Sequence, residues 1–337
     1  HNASAETVRS GLNKLTMELL VEFQAEEVVA CELFELMVVL TRPEVSNGQG
    51  AMNLYENGFY KTLKSPLQSV SCMTLIPICH ILENFFSIPE SETYCNYLIK
   101  SDFISLLLNL VKTHINQEPF LVAAFPVLAL IVRSLEGCST FIALRGVSLI
   151  TDLVDKHGDN EPLCASGLRV LASCSLDKSS FKELAEKGVI DVVLKHIDTA
   201  KAELLAVLLE IVKNMTTEES YVQMMEERDV VSHFYGVVVR CSEYEEVMSG
   251  VTGACMHVCV SEKSRSLFLQ QHMELELIQV MKQHPSSKSV QYHGAAVLAA
   301  LMKDMDLCGM LMEKDILSII IPAMALLAAD PQAVKVL

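Results

Sequence analysis

Apolar residues along this chain recur at helical spacing in short blocks, and the blocks themselves recur. In Val189-Ile190-Asp191-Val192-Val193-Leu194-Lys195-His196-Ile197 the hydrophobic positions fall three and four apart, which predicts a short helix closed by Asp198-Thr199. Ala202 to Met215 follows as a longer helix that is apolar almost all round, as a layer buried between neighbours should be. Thr216-Thr217-Glu218-Glu219 then reads as a helix start, with hydroxyl caps ahead of carboxylates that face the positive end of the helix dipole. It predicts a closing helix over Glu218 to Glu227.

The opening phrase of this unit, a Gly or Asp followed by an apolar residue and a run of aliphatics, is repeated along the chain. It stands at Gly58-Phe59, Asp102-Phe103, Gly146-Val147, Gly188-Val189, Asp229-Val230, His272-Met273 and Asp315-Ile316, in steps of 44, 44, 42, 41, 43 and 43 residues. Self-similarity at this period is expected of helical repeat arrays. The succession of short and longer helices with a sharp bend at Gly resembles the armadillo repeat, whose unit is a short first helix, a second helix and a long third one. In that family the Gly stands where the first two helices meet at a steep angle, a bend that a backbone position without Cβ tolerates. HEAT repeats are the near alternative, distinguished by a missing first helix. The resemblance implies an all-α fold, a right-handed superhelical solenoid of armadillo/HEAT-like repeats.

Extending the register backwards places an opening at Gly11-Leu12, with Leu12 to Phe23 and Glu26 to Leu40 as second and third helices. The longer step to Gly58 is taken up by a loop over Thr41 to Gly50. Forwards, only 22 residues follow Asp315. The expectation is one solenoid over 1–337, seven full repeats with a partial eighth and openings near 11, 58, 102, 146, 188, 229, 272 and 315. A native end would present a polar capping face, which Ile319 to Leu327 is not, so a longer parent protein is expected.

Composition changes the picture in three ways. Hydrophobic residues make up 51% of the chain with no Trp, which suits a continuous aliphatic core and argues against disorder. Asp and Glu outnumber Lys and Arg 42 to 26, a formal charge of −16 that disfavours a phosphate backbone and makes a basic segment the electrostatic expectation for a protein or peptide partner. Eleven Cys without framework spacing read as reduced, buried thiols of a cytoplasmic protein. No apolar run reaches the length of a membrane span.

In armadillo proteins that carry basic targeting peptides, a Trp and an Asn four residues later recur along the third helices and line the concave face, the Asn clamping the peptide backbone. Carried over by distance to the next opening, the Asn row falls on Asn84, Leu130, Ser173, Asn214, His257 and Ala300. The Trp row falls on His80, Pro126, Arg169, Glu210, Gly253 and Ala296. Without Trp, and with Asn at only two positions, the uniform clamp is missing and import-type carriage is disfavoured. The polar residues left in these rows, His80, Asn84, Arg169, Ser173, Glu210, Asn214 and His257, are the candidate partner-binding residues. Against each stands a scaffold role; Asn84 and Asn214 are equally suited to closing hydrogen bonds with neighbouring helix ends.

Catalytic patterns were sought and are missing. No GxxxxGK or GxGxxG loop, GxSxG elbow or HExxH helix occurs. Cys255-Met256-His257-Val258-Cys259 puts two thiols on one helical face, but His257 falls off their line and no second ligand pair follows, so buried thiols are expected rather than zinc. No cofactor or metal is expected. The leading expectation is a non-enzymatic interaction scaffold that grips a partner along its third helices. A regulatory domain of a larger signalling or ubiquitin-ligase protein, and a chaperone cofactor, are the alternatives.

Overall fold

Five of the repeats open, among the described residues, on a single residue in the left-handed region of backbone space. In the computed structural model, which describes residues 2–22, 26–42, 49–56, 59, 71–86, 91–302 and 317–327, all regular structure among those residues is helical. The chain divides into two units, His1–Ser180 and Phe181–Leu337. The first holds α1 (Asn2–Glu22), α2 (Glu27–Thr41), α3 (Gln49–Glu56), α4 (Cys72–Phe85), α5 (Ser91–Lys100), α6 (Phe103–Thr113), α7 (Glu118–Val132), α8 (Leu135–Ala143), α9 (Gly146–Lys156) and α10 (Glu161–Cys174), then a 3-10 turn over Lys178–Ser180. The second holds α11 (Phe181–Glu186), α12 (Val189–Ile197), α13 (Ala202–Met215), α14 (Glu219–Glu226), α15 (Val230–Cys241), α16 (Glu245–Val258), α17 (Glu262–Gln270), α18 (Met273–Gln283), α19 (Lys288–Leu301) and α20 (Leu317–Leu327).

Positive φ occurs at Asp102 (58°), Arg145 (59°), Gly188 (74°), Asp229 (55°) and His272 (55°), each immediately ahead of a second helix. The amides of Arg145, Gly188, Asp229 and His272 donate back to the carbonyls of Ile142, Ala185, Glu226 and Leu269, tying off the first helix. The carbonyls of Asp102, Arg145 and Gly188 in turn accept the first bonds of the helices that follow, from Leu106, Leu149 and Val192. One residue thus ends one helix and begins the next, and the chain turns without a linker; α8 and α9 meet at 75°.

Two openings differ from expectation. At the unit of α8 and α9 the bend belongs to Arg145, not Gly146, which brings the spacing of the left-handed residues to 43, 43, 41 and 43. Gly146 is small for another reason: a Cβ there would stand 2.3 to 2.6 Å from the ring atoms of Phe141, which is fully buried. Gly11 lies inside the unbroken α1 and marks no bend. The openings expected at 58 and 315 lie outside the described residues. The Thr216-Thr217 pair does not cap α14 either; both hydroxyls donate backwards, to the carbonyls of Lys213 and Asn214 at 2.9 and 2.8 Å, because α13 offers open acceptors nearer than the new amides.

Third helices stack on third helices. α4 packs between α2 and α7, and α7 on α10; in the second unit α16 packs between α13 and α19, with α20 against α19. Each second helix covers one side of the third helix that follows it. The centre of the first unit is α7, where Phe120, Leu121, Ala124, Phe125, Val127, Leu128 and Ile131 are all fully buried. At roughly 25 cal/mol per Å² of apolar surface removed from water, such helices carry the stability of the stack. Edge-to-face rings extend the core through Phe34, Phe59, Phe85 and Tyr94, at centroid separations of 6.4, 5.7 and 5.1 Å. Phe59 is the apolar residue of the opening phrase at 58.

Candidate functional site

Within each unit, a third helix packs on its neighbouring third helices and on its own second helix, and one strip of it remains open to solvent. The seven candidate residues lie on these strips. Arg169 and Glu210 are exposed, and His80, Asn84, Ser173, Asn214 and His257 are half-buried. In the first unit His80 and Asn84 sit on α4 and Arg169 and Ser173 on α10, so the structure does not bring the two pairs together. α7 stands between them and presents Pro126 and Leu130, an apolar rung. Asn84 also serves the scaffold: its Nδ2 donates to Thr41 Oγ1 at 2.9 Å and to the Val38 carbonyl at 3.4 Å, joining α4 to α2 through a threonine that is fully buried.

The second unit gathers more. Glu210 on α13 borders a cavity of about 300 Å³ lined also by Ala206, Lys213, Glu245, Glu246, Ser249, Gly250, Ser287 and Ser289, from three successive third helices. Glu245 and Glu246 occupy the first turn of α16, where the helix dipole favours carboxylates. Gly250 lets α16 lie close against α13, since a Cβ there would stand 2.9 Å from Leu209 Cβ. His257 lies on α16 one helical turn beyond Gly253, where the stem of Lys213 and the ring of His293 converge. Burial pushes the His293 imidazole down, and the positive charges of Lys213 and His257 push it further, to about 4, against a pull upwards from the Ser249 carbonyl.

Lys213, Glu246, Ser249 and His293 lie off the Trp and Asn rows, which follow one spacing only. The strip also contains positions three from Glu210 and four and seven before Gly253, which heptad arithmetic reaches. His293 comes from the next repeat and has no such signal.

A different set of contacts lies at the turns from second to third helices. His114 Nδ1 lies 3.3 Å from Cys72 Sγ, His157 Nδ1 lies 3.2 Å from Glu118 Oε1, and His284 Nε2 lies 2.6 Å from the Ser242 carbonyl. Asn160 Nδ2 adds a 2.6 Å bond to Glu118, and Arg240 Nη2 a 2.8 Å bond to the Ile197 carbonyl. These bonds span about one repeat and read as inter-repeat ties. Beside the second helices α12 and α15, Arg228 in the turn before α15 pairs with Asp191 of α12 at 2.6 Å, and His233 of α15 with Asp198 at the end of α12 at 2.9 Å, around an open hollow.

Ten cysteines among the described residues are free, and eight of them are buried. Desolvation pushes the Cys79 thiol up to about 12, and it raises Cys255 and Cys259 as well. Among the described residues no three His, Cys, Asp or Glu side chains converge as metal ligands, and no single helix is long and apolar enough to cross a membrane.

No protein-family model matches the chain, and no curated protein matches it in sequence. Solved structures do match. An engineered protein from a structural-genomics consortium aligns over 96% of this chain and 79% of its own, at 14% identity and a TM-score of 0.77. A computationally designed armadillo repeat protein for modular peptide recognition aligns over 73% of this chain and 99% of its own, at 17% identity and a TM-score of 0.62. A structure describing a phosphorylation switch in the interaction between cadherin and beta-catenin aligns over 85% of this chain and 52% of its own, at 13% identity and a TM-score of 0.66. The fold is that of the armadillo-like helical repeats.

Proposed function

We propose that this chain is a cytoplasmic protein-interaction scaffold, without catalysis of its own, that holds a segment of another protein along the open strips of its third helices. The observation that carries this reading is the groove across α13, α16 and α19, where polar side chains from three repeats line one cavity on a strip that the stack leaves uncovered. The fold likeness to a protein designed for peptide recognition adds support. Three carboxylates, Glu210, Glu245 and Glu246, against the single cation Lys213 in the groove lining favour a Lys or Arg of the partner, in keeping with the net charge of −16. The free thiols suit a reducing compartment.

Panning a random linear peptide library against the folded chain tests the proposal. Enriched peptides are expected to carry a basic residue, and to lose affinity for Glu210→Ala and Asn214→Ala variants whose melting curves are unchanged. Peptides that bind both variants as tightly as the wild type would move the function off this strip.

A further inference from the structure

Two cysteines at one edge of the first unit have similar exposure and opposite surroundings. Cys31 on α2 and Cys72 at the start of α4 are both half-exposed. The Cys31 thiol donates to the Met73 carbonyl at 3.2 Å; desolvation pushes it up, and three carboxylates, Glu35, Glu32 and Glu27, push it further. Burial alone pushes the Cys72 thiol up. The sulfur of Cys72 stands 3.3 Å from Nδ1 of His114, in the turn after α6. That imidazole is 8% exposed and lies edge-on to Phe120 at a centroid separation of 5.5 Å, and its Nε2 is buried without a hydrogen-bond partner. A proton on Nε2 would be stranded in the core, whereas a proton on Nδ1 points at sulfur, so the neutral ring that costs least donates to Cys72. Cys72 is also the first residue of a 14-residue helix, next to the N-cap Ser71, whose hydroxyl accepts from the Met73 amide at 3.2 Å. Helix-end amides and an imidazole N–H together favour a thiolate at a position that solvent reaches.

We propose that Cys72 is a modification site that forms a mixed disulfide with a low-molecular-weight disulfide, its thiolate steadied by the His114 N–H. The Cys72 thiol gives its proton to water, and the thiolate attacks one sulfur of the incoming molecule. The S–S bond of that molecule breaks as the new one forms, and its second sulfur leaves as a thiolate that takes a proton from water. Cys72 is thereby oxidised, and the released thiol is the reduced product. The eight buried cysteines among the described residues have no such access to solvent. Cys31 has the access, but the carboxylates around it oppose the charge that the reaction needs. Cys72, Ile76, His80 and Asn84 follow one another in steps of four along α4 and are all half-buried. The adduct would stand at the head of that ridge, where oxidation of the surrounding thiol pool changes the bulk and charge of the α4 surface.

Incubating the folded chain with glutathione disulfide, and following each adduct over time by peptide mass spectrometry, tests the proposal. Cys72 is expected to take up glutathione about tenfold faster than Cys31, the effect of one charge-assisted hydrogen bond. His114→Phe keeps a ring against Phe120 and removes the donor; it should slow Cys72 about tenfold and leave Cys31 unchanged. Cys79, buried on the same helix, reports folding and should stay unmodified in both chains. Equal uptake at Cys31 and Cys72 in the wild type, uptake led by another cysteine, or a Cys31–Cys72 disulfide in place of the adduct would overturn the inference. So would a Cys72 rate indifferent to His114→Phe in a chain whose Cys79 stays protected. Should His114→Phe expose Cys79, the wild-type ratio of Cys72 to Cys31 decides by itself.

Discussion

Two glycines that open successive repeats, Gly188 at the bend and Gly146 one residue past it, should lose stability to the same added methyl for different reasons. At Gly188 φ is 74°, and a Cβ has room, its nearest neighbour being Asp191 Oδ2 at 3.9 Å. Gly188→Ala therefore feels only the backbone: about 1–2 kcal/mol for an L-residue in the left-handed region, less about 0.4–1 kcal/mol returned because alanine stiffens the unfolded chain. The net loss is about 1 kcal/mol. Gly146 begins α9 without positive φ, so alanine is locally welcome there, by about 1 kcal/mol. Its Cβ, however, would lie 2.3, 2.4 and 2.6 Å from three atoms of the Phe141 ring, more than 1 Å inside an ordinary carbon contact. Phe141 is fully buried and has nowhere to retreat without repacking, at about 1–3 kcal/mol. Trimming the ring should rescue one variant and not the other. Phe141→Leu combined with Gly146→Ala should be more stable than the two losses added, whereas Phe141→Leu and Gly188→Ala should simply add. Urea unfolding followed by far-ultraviolet circular dichroism supplies the midpoints, which remain comparable where a repeat array departs from two-state behaviour. Equal, additive responses at both glycines would refute the assignment of the bend to Arg145 and of the close contact to Gly146.

Asn84→Ala should lose about 1–2 kcal/mol, because it leaves the buried Thr41 hydroxyl without its donor; hydrogen exchange should show α2 opening ahead of the rest of the first unit. His293 has its folded pKa depressed to about 4 from 6.5, so the unfolded chain binds its proton more readily. Its contribution to stability is present above pH 6.5 and is lost as the pH falls towards 4. Allowing for solvent screening, the loss is on the order of 1–2 kcal/mol, and His293→Gln should flatten that part of the pH–midpoint curve. In the native chain a thiol reagent should label Cys31 and Cys72, which are half-exposed, well ahead of Cys79, Cys255 and Cys259, with all three released by denaturant; prompt native labelling of Cys255 would contradict the buried packing of α16.

Much of the helix plan could be read in advance, because it rests on local chemistry repeated many times. Val189 to Ile197 and Ala202 to Met215 are helices over those spans, and the bends at Asp102, Gly188, Asp229 and His272 fall where the opening phrase placed them. The bend stands at Arg145, one residue before the glycine of the phrase, because Gly146 is small for the sake of the Phe141 ring and not for the turn. Glu210 and His257 were placed on third helices by the rows that the armadillo resemblance implied, and they lie on α13 and α16; the hydrogen bond of Asn84 has no local signal, because Thr41 lies 43 residues away on another helix.

Sequence alone determined the period, the helical character of each block and the strip of each third helix that faces away from the core, since all three follow from the geometry of a helix and the burial of its apolar side. Tertiary structure decided which residues from different repeats share one space: the approach of α16 to α13 over Gly250, and the meeting of Lys213 and His293 over Gly253. Those encounters depend on how closely two helices pass, a distance set by the volumes of side chains about forty positions apart, and no local pattern encodes it.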